Sequence, residues 1–557
     1  MTPNFQALAV AKRAEQLSLI PPEWRIADIP SVESAPSALQ YIRASNLLTP
    51  EELAITEAKD INETLQRISR GEISSLETTK AFAKRAALAQ QLTNCCTEII
   101  FDEAFASARR LDEYFALHGT TAGPLHGLPI SVKDCIDVKG YDTTVGWIGL
   151  ANKPAVDDST TVKMLRELGA VVYVKTNVPQ SLMMSDSNNH LFGQSVNPLN
   201  RALISGGSSG GESTLIAAGG SPLGIGTDIG GSIRIPAALC GLYGLSPTFS
   251  RHPQNIVTAT AGPIASSIAT IETYMQAVST TESWKVDPRA GPVLWNSAKC
   301  SFAAGRKLRI GFITDDGVVR PQPPIIRAVK EVVTALRAAG HEGIIMITHS
   351  TAQDEQYDQH DFLVIEWNAT CHARGFELFE KAVLSDGGAA AKKMTDLSRE
   401  PLIEGMYIGT AANLLSTPQL HELCGDKYAF EAAYLRRWKE AGLDALIMPV
   451  TPWVGYKPWT WVKSRQYVGY TSIWNLLDWA AFTLPVTTVS RRRDEPLDDT
   501  WVSYQPRNPS DEFNKKQYDI DLVDAMPVGV QIVCGKYEDE KCIAVAKIVE
   551  SLLNKDC

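Results

Sequence analysis

Two serine-centred glycine clusters hold most of the chemistry this chain could perform. The first runs Ser205-Gly206-Gly207-Ser208-Ser209-Gly210-Gly211-Glu212, and the second Gly224-Ile225-Gly226-Thr227-Asp228-Ile229-Gly230-Gly231-Ser232-Ile233-Arg234. Paired glycines beside a serine admit left-handed backbone and let another backbone or a ligand come close. Backbone N–H groups turned one way at the start of a helix make a pocket for negative charge. Such a pocket either holds a phosphate or stabilises the oxyanion of an acyl-transfer intermediate. A phosphate loop of the G-x-x-x-x-G-K-S/T type is not formed, since no lysine follows either cluster. A dinucleotide fingerprint fits Gly224–Gly230 only loosely. Glycine-rich connectors with serine helix caps are the ordinary alternative, though two serine-centred clusters a short helix apart fit it less well. Gly206 to Gly210 also satisfies G-x-S-x-G, the nucleophile elbow of α/β-hydrolase esterases. That elbow needs a strand before it and a late histidine. Arg201 to Ser205 is a poor strand, and His421, the last of nine histidines, follows a helix-like segment.

Turns of this kind need a sheet to carry them. The chain has 557 residues, 44% hydrophobic and 21% charged, which excludes disordered and fibrous classes. After a helical start, including a capping-box helix from Ser74 to about Gln91 and a second from about Asp102 to Leu117, short Val/Ile-rich runs appear at Pro129–Val132, Val171–Val174 and Leu223–Gly226. Helical patterns separate them at Val162–Leu168 and Glu212–Ala218. The alternation continues with strands at Leu308–Ile313, Ile344–Ile347, Ala445–Val450 and Val528–Val533, and with helices at about Pro324–Ala339 and Glu538–Leu553. This pattern predicts an α/β fold, a central mixed β-sheet covered by helices on both faces. Arg251–Arg306 and Asp494–Asp524 read as excursions, the latter as an exposed loop.

Charge and cysteine usage narrow the function classes. Lys+Arg number 53 against 63 Asp+Glu, a net charge of −10, which argues against nucleic-acid or anionic-lipid binding by bulk attraction. Ten scattered cysteines form no C-x-x-C pair, and the histidines form no H-E-x-x-H motif, so neither a metal site nor a disulfide framework is expected. The apolar stretch Leu476–Val489 is interrupted by Asp478 and Pro485, so no membrane span is expected, and the N-terminus carries no signal pattern. A cytoplasmic location is the expectation.

Gly206–Glu212 and Gly226–Arg234 strongly resemble the signature region of the amidase signature family of serine amide hydrolases. Gly123-Pro124-Leu125-His126-Gly127-Leu128-Pro129-Ile130-Ser131-Val132-Lys133-Asp134 resembles the family's lysine motif, and Thr176-Asn177-Val178-Pro179-Gln180, Asn197-Pro198 and Pro527-Val528-Gly529-Val530-Gln531 match further elements. The likeness runs from about residue 60 to the C-terminus. Lys12-Arg13, Pro21-Pro22-Glu23-Trp24 and Gln90-Gln91-Leu92-Thr93-Asn94-Cys95 look most like the fungal acetamidase branch. The resemblance implies an N-terminal helical extension over 1–60 and a single amidase-signature domain over 61–557, its catalytic core at about 120–250. It also implies amide hydrolysis by a Ser–Ser–Lys triad, with Ser232 as nucleophile, Ser208 as bridge and Lys133 as general base. The N–H groups of Ile229, Gly230, Gly231 and Ser232 would form the oxyanion hole. Asp228 and Arg234 would fix that turn, and Ser209 would support the backbone.

An alcohol is a poor nucleophile until its proton is removed, and an amine can remove it only when neutral. Lys133 must therefore titrate far below its usual value of about 10.4, as burial would make it do. The apolar run Leu128–Val132 suits a buried strand end. Leu182, Met183 and Met184 are expected beside the acyl group. The Trp-rich region after Pro449, Trp474 included, suggests an apolar pocket wall for a bulky group. The expected partner is a small-molecule amide, with no cofactor. Self-association is common in the family, but the sequence assigns it no interface. A glutaminase subunit of a tRNA-dependent amidotransferase shares the signature and is the other enzymatic alternative.

Overall fold

The computed structural model of the protein describes residues 5–248, 257–301, 307–340, 342–345, 370–463, 466–495 and 499–554. In chain order its strands are β1 (Cys96–Ile99), β2 (Pro129–Lys133), β3 (Val171–Thr176), β4 (Asn188–Asn189), β5 (Gly193–Gln194), β6 (Leu223–Asp228) and β7 (Tyr243–Ser246). They continue with β8 (Thr260–Ala265), β9 (Arg309–Phe312), β10 (Glu342–Ile345), β11 (Ala445–Pro449), β12 (Ala481–Thr488) and β13 (Pro527–Val533). β4 and β5 pair separately, and the other strands form one 11-stranded sheet ordered β1-β3-β2-β6-β8-β7-β12-β13-β11-β9-β10. β2 lies parallel to both β3 and β6, whereas β8, β7, β12 and β13 run antiparallel to their neighbours. The sheet is mixed, as the alternation predicts.

Both faces of the sheet are covered. Alternate residues of a strand enter different hydrophobic clusters: Ala445 and Ile447 of β11 join one, Leu446 and Met448 the other. This is the two-residue period of a strand buried on both sides. The helices Ile268–Ser279, Pro323–Ala338 and Asp539–Leu553 contribute to the first cluster, and the helix Ser75–Thr93 packs against the opposite side of β3. That last helix begins with the expected capping box, the Ser74 hydroxyl accepting from the Glu77 N–H and the Glu77 carboxylate from the Ser74 N–H.

Two expectations fail. The Arg251–Arg306 stretch, of which 251–256 and 302–306 lie outside the described residues, contributes β8 to the middle of the sheet and the helix Ile268–Ser279. Gly262 and Pro263 disguised the strand. The glycine serves close packing, since a Cβ there would meet the Leu245 carbonyl at 2.3 Å. The Asp494–Asp524 stretch, described except at 496–498, is folded into the helices Asp499–Ser503, Pro509–Lys516 and Ile520–Val523. It docks because Trp501 is buried and the buried Asp511 accepts the Arg320 and Arg507 N–H groups at 2.8 and 2.9 Å. The strand expected at Ile344–Ile347 falls at β10, with residues 346 and 347 outside the described set. Pro485 sits inside β12 at an irregularity of register, a position where a strand tolerates proline. Among the described residues no helix is long and apolar enough to cross a membrane.

Candidate active site

Parallel packing of β2, β3 and β6 brings their C-terminal ends to one edge of the sheet, where open α/β sheets place their sites. Lys133 is the last residue of β2 and is fully buried. Its Nζ lies 2.8 Å from the Ser208 Oγ, 2.8 Å from the Thr227 Oγ1 and 3.2 Å from the Thr227 carbonyl oxygen at the end of β6. Among the described residues no carboxylate forms an ion pair with it. Burial is the main influence on its titration and lowers it from the ordinary lysine value, outweighing the more distant Cys135, Asp228, Glu212 and Asp134. Glu212, behind this amine, accepts from Ser131 of β2 and, at 2.5 Å, from Thr176 of β3. Burial pushes its carboxyl up to about 7.

The second glycine cluster wraps around Asp228. Its carboxylate accepts the Gly231 N–H at 2.7 Å and the Ile233 N–H at 3.1 Å, and pairs with Arg234 through Nε and Nη2 at 3.0 Å each. Burial disfavours the charged carboxyl, but Arg234 and the hydrogen bonds prevail and hold it at about 2. Arg234 reaches on to the Thr471 carbonyl, Asn475 and Gln531, all buried. Gly231 has φ +130°, and a Cβ there would meet the Thr471 Oγ1 at 2.3 Å, so only glycine fits this turn. The Ser232 carbonyl accepts the Ser209 N–H at 3.2 Å, joining the two clusters, and the Ser209 hydroxyl sits 3.4 Å from the Thr227 carbonyl. Ser208 follows a cis Gly207–Ser208 peptide.

The structure thus gathers Lys133, Ser208, Ser209, Asp228, Arg234 and the Ile229–Ser232 turn at one edge. Gly231 differs from the expected role, because its N–H is bonded to Asp228. The N–H groups of Ile229, Gly230 and Ser232 carry no hydrogen bond among the described residues. Thr227, one residue from Asp228, was missed although it lies inside the motif. Thr471, whose hydroxyl donates to the Gly230 carbonyl at 2.6 Å, and Asn475 lie in no motif.

A cavity of about 610 Å³ opens beside this turn, reaching Ile229. Its walls come from Val145 and Trp147, from Met183, and from the helical segments around Ala382, Ala391 and Met394. Of the four expected pocket residues, Met183 lines it and Leu182, Met184 and Trp474 do not. Ser181 and Leu182 both have φ +65°, and Met184 packs in the core with Ile204 and Leu239. Trp474 is 1% exposed, 5.9 Å from the Tyr434 ring and 6.1 Å from the Trp479 ring, with its Nε1 on the Tyr470 carbonyl. Its helix, Gly469–Leu477, serves the site instead through Thr471 and Asn475. The elbow alternative lacks its scaffold: no strand leads into Gly206 among the described residues, and His421 is exposed on the helix Thr417–Ala441.

Comparison with known proteins gives a consistent result. A family profile described as Amidase matches residues 77–543. The chain is 36% identical to the Acetamidase of Emericella nidulans, with 99% of each chain covered. It is 35% identical to the Acetamidase of Aspergillus oryzae, again covering 99% of each. Among solved structures it is similar to a fatty acid amide hydrolase, at a TM-score of 0.88 and 32% identity over 98% of this chain and 95% of that one.

Proposed function

Because the chain belongs to the amidase signature family and is a hydrolase of amide bonds, we propose that it cleaves carboxylic amides to acid plus ammonia or amine through a Ser232 acyl-enzyme. The observation that carries this reading is the buried Lys133 amine, without an ion-pair partner among the described residues, 2.8 Å from the Ser208 hydroxyl. A neutral amine has two N–H donors and one lone pair. The Thr227 carbonyl and hydroxyl accept the two N–H groups, which leaves the lone pair for the Ser208 proton.

The steps follow from that arrangement. Lys133 takes the Ser208 proton as Ser208 takes that of Ser232, whose oxygen adds to the amide carbon. The N–H groups of Ile229, Gly230 and Ser232 face the resulting oxyanion, where each donor typically contributes about 10²–10³ in rate. The proton returns through Ser208 to the leaving nitrogen, the C–N bond breaks, and water repeats the relay to release the acid. The apolar cavity at Ile229 suits an alkyl or aryl group larger than the methyl of acetamide.

A fluorophosphonate probe tests the nucleophile. Labelling is expected at Ser232 alone, abolished in Ser232→Ala and strongly slowed in Lys133→Ala. Labelling that persists in Ser232→Ala, or that moves to Ser208, overturns the proposal.

A further inference from the structure

The N-terminal helix Phe5–Ser18 bears on the catalytic edge of the sheet through one buried cation. Gln16 donates from Nε2 to the Cys96 and Thr97 carbonyls at 2.8 and 2.9 Å, covering edge strand β1. One turn earlier, Lys12 is only 8% exposed, and its Nζ lies 2.9 Å from the Glu98 carboxylate of β1 and 3.0 Å from that of Asp142. Glu15 of the same helix is 3.5 Å away and largely exposed. Asp102 and Tyr141 line the same recess.

Asp142 begins a loop that leads to the active site. Its side chain accepts the Asn152 and Lys153 N–H groups at 2.7 and 2.8 Å. Its main-chain carbonyl and the Thr143 hydroxyl accept from the buried Nζ of Lys175, the latter at 2.7 Å. The Thr144 hydroxyl and the Val145 N–H then bond to Asp134, the residue after Lys133, at 3.1 and 2.6 Å. Val145 and Trp147 go on to wall the cavity, and the Val145 carbonyl accepts the Ser181 N–H at 2.9 Å. A continuous set of bonds therefore connects Lys12 with both the strand end that carries the catalytic lysine and the cavity wall.

We propose that Lys12 is a positioning residue of the active site: its ammonium holds Glu98 and Asp142 side by side, and so fixes the 142–147 loop against Asp134. The inference rests on the amide-hydrolase reading of the Lys133 edge. It gives the N-terminal segment a part in activity, beyond covering a sheet edge.

The physics of the pair supplies the test. With Lys12 present, burial still pushes the Glu98 carboxyl up to about 7, and nearby Asp142 and Asp134 push the same way, against the pull of Lys12. In Lys12→Met the opposing pull is gone and Glu98 holds its proton to higher pH. Wherever Glu98 does ionise it repels Asp142 with nothing between them. The variant should therefore stay near wild type from about pH 6 through neutrality, where its Glu98 keeps the proton, and fall progressively behind only at alkaline pH, where Glu98 ionises, by about tenfold in kcat/KM at the alkaline end. Adding Glu98→Gln removes one of the two like charges and should flatten that alkaline deficit. The assay is hydrolysis of benzamide by the full chain across this pH range, beside wild type and Ser232→Ala, with melting temperature recorded for each variant. If wild type fails to hydrolyse amides, or Ser232→Ala does not abolish hydrolysis, the underlying reading fails instead. If wild type is active and Lys12→Met tracks it in parallel at every pH, Lys12 does not position the site. If Lys12→Met does not fold, the double variant carries the test, and an alkaline deficit that persists in it relative to wild type overturns the proposal.

Discussion

Lys133 and Arg234 are both fully buried and both reach into the 227–234 segment, yet their surroundings differ in kind. Arg234 has a carboxylate on Nε and Nη2, with Asn475 also on Nη2, and Gln531 and a carbonyl on Nη1. Lys133 has two hydroxyls and a carbonyl, and no carboxylate in ion-pair range among the described residues. Burial of a cation is tolerated when a partner compensates it, and shifts the group toward neutrality when none does. The fold thus sets a structural ion pair and the proposed base against one short segment. It distinguishes them by what it sets opposite each.

Removing the proposed base is the largest break in that contrast. Lys133→Met keeps the stem and removes the amine, and is expected to lower kcat/KM by about 10²–10⁴. Melting temperature should barely move, because Ser208 and Thr227 keep hydroxyls that can turn to other acceptors; the cost is about 1 kcal/mol. Lys133→Arg should be as inactive, since a guanidinium stays protonated at working pH. The sign of the pH dependence follows from the direction of the shift. Burial lowers the Lys133 titration, so the neutral form that the proposed role requires becomes dominant below the ordinary lysine value. Wild-type activity should fall as pH drops through that lowered value. The acid limb should be missing from the residual activity of Lys133→Met, and a limb that survives the substitution would assign it to another group.

Removing the carboxylate breaks the other half. Asp228→Asn leaves Arg234 buried without its countercharge and should destabilise the protein by about 3–5 kcal/mol. Asp228 is depressed to about 2, so the stability it contributes is complete above its unfolded value near 3.9 and is lost only as pH falls toward 2. The melting deficit of Asp228→Asn should therefore be constant from about pH 5 to about pH 9. A deficit that grew within this window would show that some other ionisation supports the turn.

The same contrast explains what the sequence revealed. Residues acting through the backbone geometry of a short segment, such as Gly231, Ser232, Asp228 and Arg234, sit close together in the chain and carry a motif that can be read. Strands with alternating or continuous apolar patterns, such as β2, β3 and β13, were legible for the same local reason. β8 was not, because its glycine and proline answer to Leu245 on a neighbouring strand. Thr471 and Asn475 were not, because their helix lies more than 230 positions away from the turn they brace. Trp474 was misplaced for a related reason. Aromatic richness marks burial in general, and only the fold says whether the buried space is a core or a cavity. Ala382 and Ala391, which do line the cavity, have nothing in type or spacing to announce them.

The smallest expected effect separates these two aromatic and aliphatic regions directly. Ala391, in the helix Ala389–Ser398, is 7% exposed and faces the cavity. Ala391→Leu extends a branched chain into that space and competes with the substrate for it. Discrimination in an apolar pocket runs at about 1–3 kcal/mol per methylene, so benzamide or hexanamide should lose about tenfold in kcat/KM while acetamide stays within about twofold. Trp474→Phe is the counterpart in the core. It removes part of a stacked, edge-packed cluster in which Trp474 does not line the cavity, and should lower melting temperature while leaving the benzamide-to-acetamide ratio unchanged. If Trp474→Phe shifts that ratio and Ala391→Leu does not, the acyl group lies against the tryptophans, and the cavity beside Ile229 has another use.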